Sequence, residues 1–380
     1  MRFLVFLGSI LIALPISRAT RDGATAEPMV PAPSLTAILE ASARAHRVPA
    51  MAAVATRADT IVELAAWGAR RDGWPDPVAP SDRFHLGSNT KAMTATLAAI
   101  LIEEGKLNWT TTSLEVFPEW RDEILADYRE VTLADLLAHR AGLPAYDDDG
   151  SPEWQEMKSL SGSAAEQRRD FARRALRHAP AVPPRTRRLY SNAGYTVVAA
   201  MIERVSGETW EALMRERLFA PLGIRAAFAW PAFDDPRQPW GHYETATGVR
   251  PHDPHDAYQL PAFMLPAGGV AMNPRDYARF LQLHLAGLKG RDGLLKSKTI
   301  RHLHTAVDGK TALGWGIQDI AGAPASVHNG SAGTFYAVAA IWPSRDLAVA
   351  VFANAGDERA ASACVEVLKA LARRYPVDSP

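Results

Sequence analysis

A single cysteine, Cys364, in 380 residues excludes an internal disulfide and every cysteine-based metal knuckle. Net charge is missing too, since 42 Lys and Arg stand against 42 Asp and Glu. A nucleic-acid binder carries a surplus of cations to displace counterions, so that class is set aside. No internal repeat, no low-complexity tract and no His-Glu-x-x-His metal pattern occurs in the chain. What is present is 47% apolar and 22% charged residues, a globular composition rather than a disordered or fibrous one. The length suits one large composite domain or about two ordinary ones.

Residues 1–19 read as a targeting segment. Arg2 is a short basic head, residues 3–16 are apolar apart from Gly8, Ser9 and Pro15, and Ser17-Arg18-Ala19 offers small residues for a signal peptidase. The apolar stretch falls short of the roughly 20 residues of a membrane span, although an uncleaved anchor remains the alternative. No cysteine follows it, which excludes a lipid-modified start. The expectation is an exported protein, periplasmic or secreted after cleavage. Loss of Arg2 and Arg18 leaves 40 basic against 42 acidic residues.

Residues 20–34, with Pro28, Pro31 and Pro33, read as a linker, and residues 35–375 as the folded domain. Apolar spacing predicts a helix over 35–45 and a β-hairpin from 50–55 and 60–67. Helices are expected over 91–104, 131–138, 164–177, 193–205 and 277–285. Strands follow over 335–342 and 347–353, and a last helix over 360–375. Strands early, helices in the middle and strands late predict an antiparallel sheet assembled from both ends of the chain. Its portions would be 35–88 and about 264–375, with a helical region inserted over about 89–263.

Three short motifs carry chemistry. Ser88-Asn89-Thr90-Lys91 puts a serine and a lysine three apart, on one face of a helix start. There a buried amine can take the hydroxyl proton, and free backbone N–H groups favour negative charge. Alone, this pattern also suits a serine that caps the helix. Tyr190-Ser191-Asn192 offers a phenol near the lysine as general base and an amide to hold a carbonyl, or simply a capped helix with a packed aromatic. His328-Asn329-Gly330-Ser331 offers a glycine-containing strand edge whose backbone N–H can serve an oxyanion, or a plain turn.

Taken in this order, the motifs resemble those of the class C β-lactamase-like family of serine hydrolases, which also holds DD-carboxypeptidases, D-aminopeptidases and β-lactamase-like esterases. The likeness runs from about Leu35 to Ala372. It includes His139-Arg140-Ala141-Gly142-Leu143-Pro144, Ser191-Asn192-Ala193-Gly194-Tyr195, Pro221-Leu222-Gly223 and Pro266-Ala267-Gly268-Gly269. The resemblance implies an α+β, β-lactamase/transpeptidase-like fold, with an antiparallel sheet flanked by helices and an inserted all-helical subdomain. It implies catalysis by Ser88 as acylated nucleophile, with Lys91 and Tyr190 sharing proton transfer. Asn192, His328, Gly330 and Ser331 would bind substrate, with the N–H groups of Ser88 and Ser331 as oxyanion hole. No metal and no cofactor is implied, and the partner is a small-molecule or peptide substrate.

Two departures from the family pattern matter. His328 stands where the β-lactamases carry a lysine, which removes a permanent cation, because an ordinary histidine is mostly neutral at pH 7. Carboxylic esters or D-amino-acid peptides are therefore expected ahead of β-lactams, with a β-lactamase or a non-catalytic penicillin- or peptidoglycan-binding protein as alternatives. Arg185 replaces a glycine, which disfavours a left-handed turn there.

Weaker features have plainer readings. Eight arginines lie between Arg168 and Arg188, opposed locally only by Asp170. They read as a solvated helix face, with a weak cell-envelope contact as the alternative. His252, Asp253, His255 and Asp256 read as a polar loop near the site mouth. His302 and His304 are two apart and share no helix face. Cys364 falls on the apolar side of the last helix and is expected in the core.

Overall fold

Residues 50–56, 336–342 and 347–353 are apolar in both alternating sets, which requires a sheet covered on both faces. The computed structural model describes residues 32–146, 152–245, 248–256 and 258–376, and forms that sheet. The expected signal segment, residues 20–31 of the linker and the acidic triplet 147–149 lie outside the described residues. Six strands take part: β1 (Ala50–Thr56), β2 (Ile61–Gly68), β3 (Gly316–Ile320), β4 (Ala323–Ser331), β5 (Tyr336–Trp342) and β6 (Leu347–Ala353). Their order is β2-β1-β6-β5-β4-β3, every neighbouring pair antiparallel. The two ends of the chain meet where β1 pairs with β6, Met51 opposite Ala353.

Alternation sorts the side chains into two cores. Met51, Ala53, Val349, Val351 and Trp342 pack with helices α1 (Leu35–His46) and α6 (Glu358–Arg374), where Cys364 is buried. Ala52, Val54, Ala350, Phe352 and Ile341 face the opposite way, into the larger core shared with helices α2 (Thr90–Glu103), α4 (Ala193–Ser206) and α5 (Pro274–Leu288). Helix α2 is buried nearly all round, as its even apolar distribution requires.

The inserted region is mostly helical and also carries a two-stranded hairpin, His242–Thr245 with Gly248–Pro251. Strands β3 and β4 add to the two late strands expected from the sequence. Both escape the alternation rule for a reason: β3 (GIQDI) is a half-exposed edge, and β4 (APASVHNGS) is made of small and polar residues. The helix expected over 131–138 is shorter, Leu133–Leu137, because the Thr132–Asp135 capping box starts it late.

The arginine-rich segment departs from a solvated face at one position. Helix α3 (Ala164–Ala175) buries Arg168, Phe171, Ala172 and Ala175, one stripe at helical spacing. The Arg168 guanidinium is fully buried and donates to Glu203 of α4 (2.6 Å), to Glu211 (2.7 Å) and to the Ala262 carbonyl (3.2 Å). It cross-links three segments of the helical region. Removing one member of a buried ionic network strands its partners, so Arg168→Ala is expected to cost about 3–5 kcal/mol in urea unfolding. A loss within ~0.5 kcal/mol, the range of ordinary surface substitutions, would contradict that role.

A second polar chain ties the sheet to α2. Ser326 of β4 meets His304 (2.7 Å), His304 meets His284 of α5 (2.9 Å), and His284 meets Thr96 of α2 (3.1 Å). Thr96 also donates to the Ala92 carbonyl (2.7 Å). Burial holds both imidazoles neutral, His284 down to about 3. Ser326 is two residues before His328 on the same face of β4, so this chain spans from the motif-bearing strand to the motif-bearing helix.

Candidate active site

Ser88 sits on a 3-10 turn, Gly87–Asn89, that runs directly into α2. Asn89 anchors the turn: its amide donates to the Leu86 and Ala337 carbonyls (both 3.1 Å) and its oxygen accepts from Tyr277 (2.9 Å). The helix cap position belongs to Asn89, not to Ser88. The serine hydroxyl instead meets two other side chains. Lys91 Nζ donates to Ser88 Oγ across 3.0 Å, and Tyr190 Oη–H donates to it across 2.7 Å.

Lys91 is fully buried on the first turn of α2. Its other two N–H groups go to Asn192 Oδ1 and the Ala267 carbonyl, both at 2.7 Å. Three donors with three acceptors at these lengths is the arrangement of a satisfied ammonium. Asn192, at the start of α4, also directs its Nδ2 to the Tyr146 carbonyl (3.4 Å). Nζ lies 4.8 Å from the Tyr190 ring centre, and the Arg188 guanidinium lies over the same ring at 5.6 Å.

Glycines bring β4 against the serine turn. A Cβ on Gly330 would stand 2.3 Å from both Leu86 O and Ser88 N, and one on Gly87 would stand 2.7 Å from Ser331 N. Gly87 also has φ +51. Only unsubstituted backbone fits on both sides, so the backbone N–H groups of Ser88 and Ser331 are held at one seam. The Ser331 hydroxyl is committed elsewhere, donating to Gly356 O (2.9 Å) and accepting from Gly333 N–H (3.1 Å).

His328 is half-buried on β4. Its Nδ1 is 2.8 Å from the Asn329 carbonyl, and a carbonyl only accepts, so the ring proton is on Nδ1. Burial, then the charge of Lys91 and lastly that of Arg188, bring its pKa down to about 3 against the hydrogen bond to Asn329. It is neutral at pH 7. The residue that departs from the lysine pattern thus supplies no charge here.

All seven expected site residues, Ser88, Lys91, Tyr190, Asn192, His328, Gly330 and Ser331, lie where the sheet meets the helical region. Other groups escape a sequence reading. The Ala267 carbonyl has no side-chain signature at all. His139 stacks on the Tyr190 ring (4.4 Å) and accepts at Nδ1 from Ser191 N–H (3.2 Å). Burial, then Arg188 and Lys91, hold it neutral. Its place in the stretch ending in Leu143-Pro144 was visible, but its contact with the phenol was not.

Arg185 adopts φ +64, so the left-handed turn persists without its glycine. Its N–H donates to Arg140 O (2.7 Å), and its guanidinium donates to the Glu130 carbonyl. The histidine-rich loop is less exposed than a polar loop suggests. His252 is buried against Trp230, Tyr243 and Tyr258 and pairs with Asp256 (3.1 Å). Among the described residues no group of three His, Cys, Asp or Glu is arranged to hold a metal.

A sequence model of the Beta-lactamase family matches residues 35–372. Penicillin-binding protein 4 of Amycolatopsis lactamdurans is 26% identical over 328 residues, 82% of each chain. A beta-lactamase of Escherichia coli is 28% identical over 70% of this chain and 65% of its own length. The crystal structure of SurE with D-Leu superposes with a TM-score of 0.68 at 25% identity, covering 90% of this chain and 74% of that one.

Proposed function

The chain belongs to the β-lactamase family of serine hydrolases, and from that premise we propose that it acts through an acyl-enzyme on Ser88, on carboxylic esters or D-amino-acid peptides. The resting ammonium–phenol pair of Lys91 and Tyr190 first gives up one proton to solvent, leaving an amine or a phenolate. Ser88 Oγ then attacks the substrate carbonyl carbon as its proton passes to that group. The carbonyl oxygen, now negative, takes the N–H groups of Ser88 and Ser331, donors fixed before the reaction begins. The pair returns the proton to the leaving alcohol or amine, and water then releases the acyl group by the same route in reverse. Asn192 orients the substrate amide or ester while holding Lys91.

The observation that carries the substrate choice is a histidine at position 328 in place of lysine, its Nδ1 proton held by the Asn329 carbonyl. A β-lactamase of the lysine type has a permanent cation at that position for the drug's carboxylate, and this chain has none at 328. The D-leucine named in the SurE structure makes D-configured acyl donors the first to assay. One preparation tested against short-chain 4-nitrophenyl esters, D-Ala-D-Ala peptides and a chromogenic cephalosporin decides the matter. Esters or D-peptides are expected to show the higher kcat/KM. A cephalosporin turned over about tenfold faster than either would reverse the order. A silent penicillin binder is the weaker reading, because the serine, the lysine and the phenol are all in hydrogen-bonding contact.

The N-terminal pattern supports export. Mass measurement of protein recovered outside the cytoplasm is expected to show the chain starting after Ala19.

A further inference from the structure

The site has a buried cation whose three donors are already committed and a histidine that carries no charge. A substrate carboxylate would find no partner in either. The arginine-rich segment supplies one. Of its eight guanidinium groups, six have carboxylate partners: Arg168 with Glu203 and Glu211, Arg169 with Asp170, Arg173 and Arg177 with Glu123, Arg174 with Glu156, and Arg185 with Asp135. Arg188 is exposed, and among the described residues no carboxylate lies within ion-pair distance of it. It is also the member of the segment that reaches the site, over the Tyr190 ring at 5.6 Å.

We propose that Arg188 is the substrate-carboxylate receptor of this site, taking the free carboxylate of a D-amino-acid substrate in a forked, two-point contact. A planar guanidinium matches a carboxylate in that way, and an exposed one needs no rearrangement to do so. The charge is felt across the site: beyond burial, which is the main cause in each case, Arg188 lowers the proton affinity of His139, His328 and Tyr195. These three residues lie on separate elements around Ser88 and Lys91. The inference rests on the acyl-enzyme reading above and narrows it, from esters or peptides at large to donors that carry a carboxylate.

The test compares wild type, Arg188→Ala and Arg187→Ala on two thioesters of one N-acyl-D-alanine. One has thioglycolic acid as leaving group and the other has the corresponding thioglycolamide. Loss of a charge-assisted contact corresponds to about 10- to 100-fold in kcat/KM. Arg188→Ala is expected to lose that factor on the acid and to stay near wild type on the amide, with Arg187→Ala near wild type on both. Equal losses on acid and amide would overturn the proposal and make Arg188 a residue that acts through the Tyr190 phenol. No loss on the acid would overturn it as well. If wild type hydrolyses neither thioester yet takes a neutral fluorophosphonate on Ser88, the D-substrate reading fails by itself. The Arg188 assignment is then decided by acylation rates with benzylpenicillin and with its methyl ester, judged in the same way.

Discussion

Ser88→Ala is expected to abolish acyl-enzyme formation and to lower turnover of any substrate by on the order of 10⁴- to 10⁶-fold, the scale seen when a serine nucleophile is removed from a hydrolase. The protein should fold normally. Ser88 is half-buried, and its loss leaves Lys91 bonded to Asn192 and Ala267, with Asn89 still anchoring the turn. The change in unfolding free energy should therefore stay within about 1 kcal/mol, the value of one ordinary hydrogen bond. Intact-protein mass after treatment with a fluorophosphonate reads the first expectation and a thermal melt reads the second. An Ser88→Ala protein that still gains the adduct would move the nucleophile to another residue. One that melts far below wild type would mean that the serine is there for the turn and not for the reaction.

Three of the four sheet strands that the sequence shows share one physical property, unbroken burial; the fourth, β2, is part-exposed and shows only as the second arm of the expected hairpin. β1, β5 and β6 are apolar on both faces and so stand out from any loop. β4 does not, although it carries three of the four expected substrate-binding residues, His328, Gly330 and Ser331, because its work needs backbone and small side chains. Gly330 must have no Cβ for β4 to reach Ser88, and Ser326 must have a hydroxyl for His304. A strand selected for those reasons loses its alternation. The same holds for the charge count. Eight arginines in 21 positions look alike as letters, but burial makes Arg168 a cross-link, carboxylates occupy five more, and proximity to a phenol distinguishes Arg188. Those distinctions arise from which residues the fold brings near, and no local spacing encodes them. What spacing does encode is the Ser88–Lys91 pair, because one helical turn makes them neighbours wherever the helix lies.

Lys91→Met and Tyr190→Phe are each expected to lower the acylation rate by about 10²- to 10⁴-fold, the usual worth of a positioned acid–base group. The double variant should lose hardly more than the worse single one. The reason lies in the geometry. Lys91 and Tyr190 approach the same oxygen, at 3.0 and 2.7 Å, and there is one proton to move. If the two share it, either change breaks the only route, and a second change has nothing left to remove. Methionine keeps the length of the buried side chain while deleting its charge, leaving Asn192 Oδ1 and the Ala267 carbonyl without their donor. Phenylalanine keeps the ring that packs on His139 and lies under Arg188, and loses only the hydroxyl. The two variants thus damage the surroundings differently and the proton route equally, so similar rate losses with dissimilar melting temperatures would point to shared proton transfer. Losses that multiply in the double variant would instead make them independent contributors, with Lys91 acting as a fixed charge and Tyr190 alone as the base.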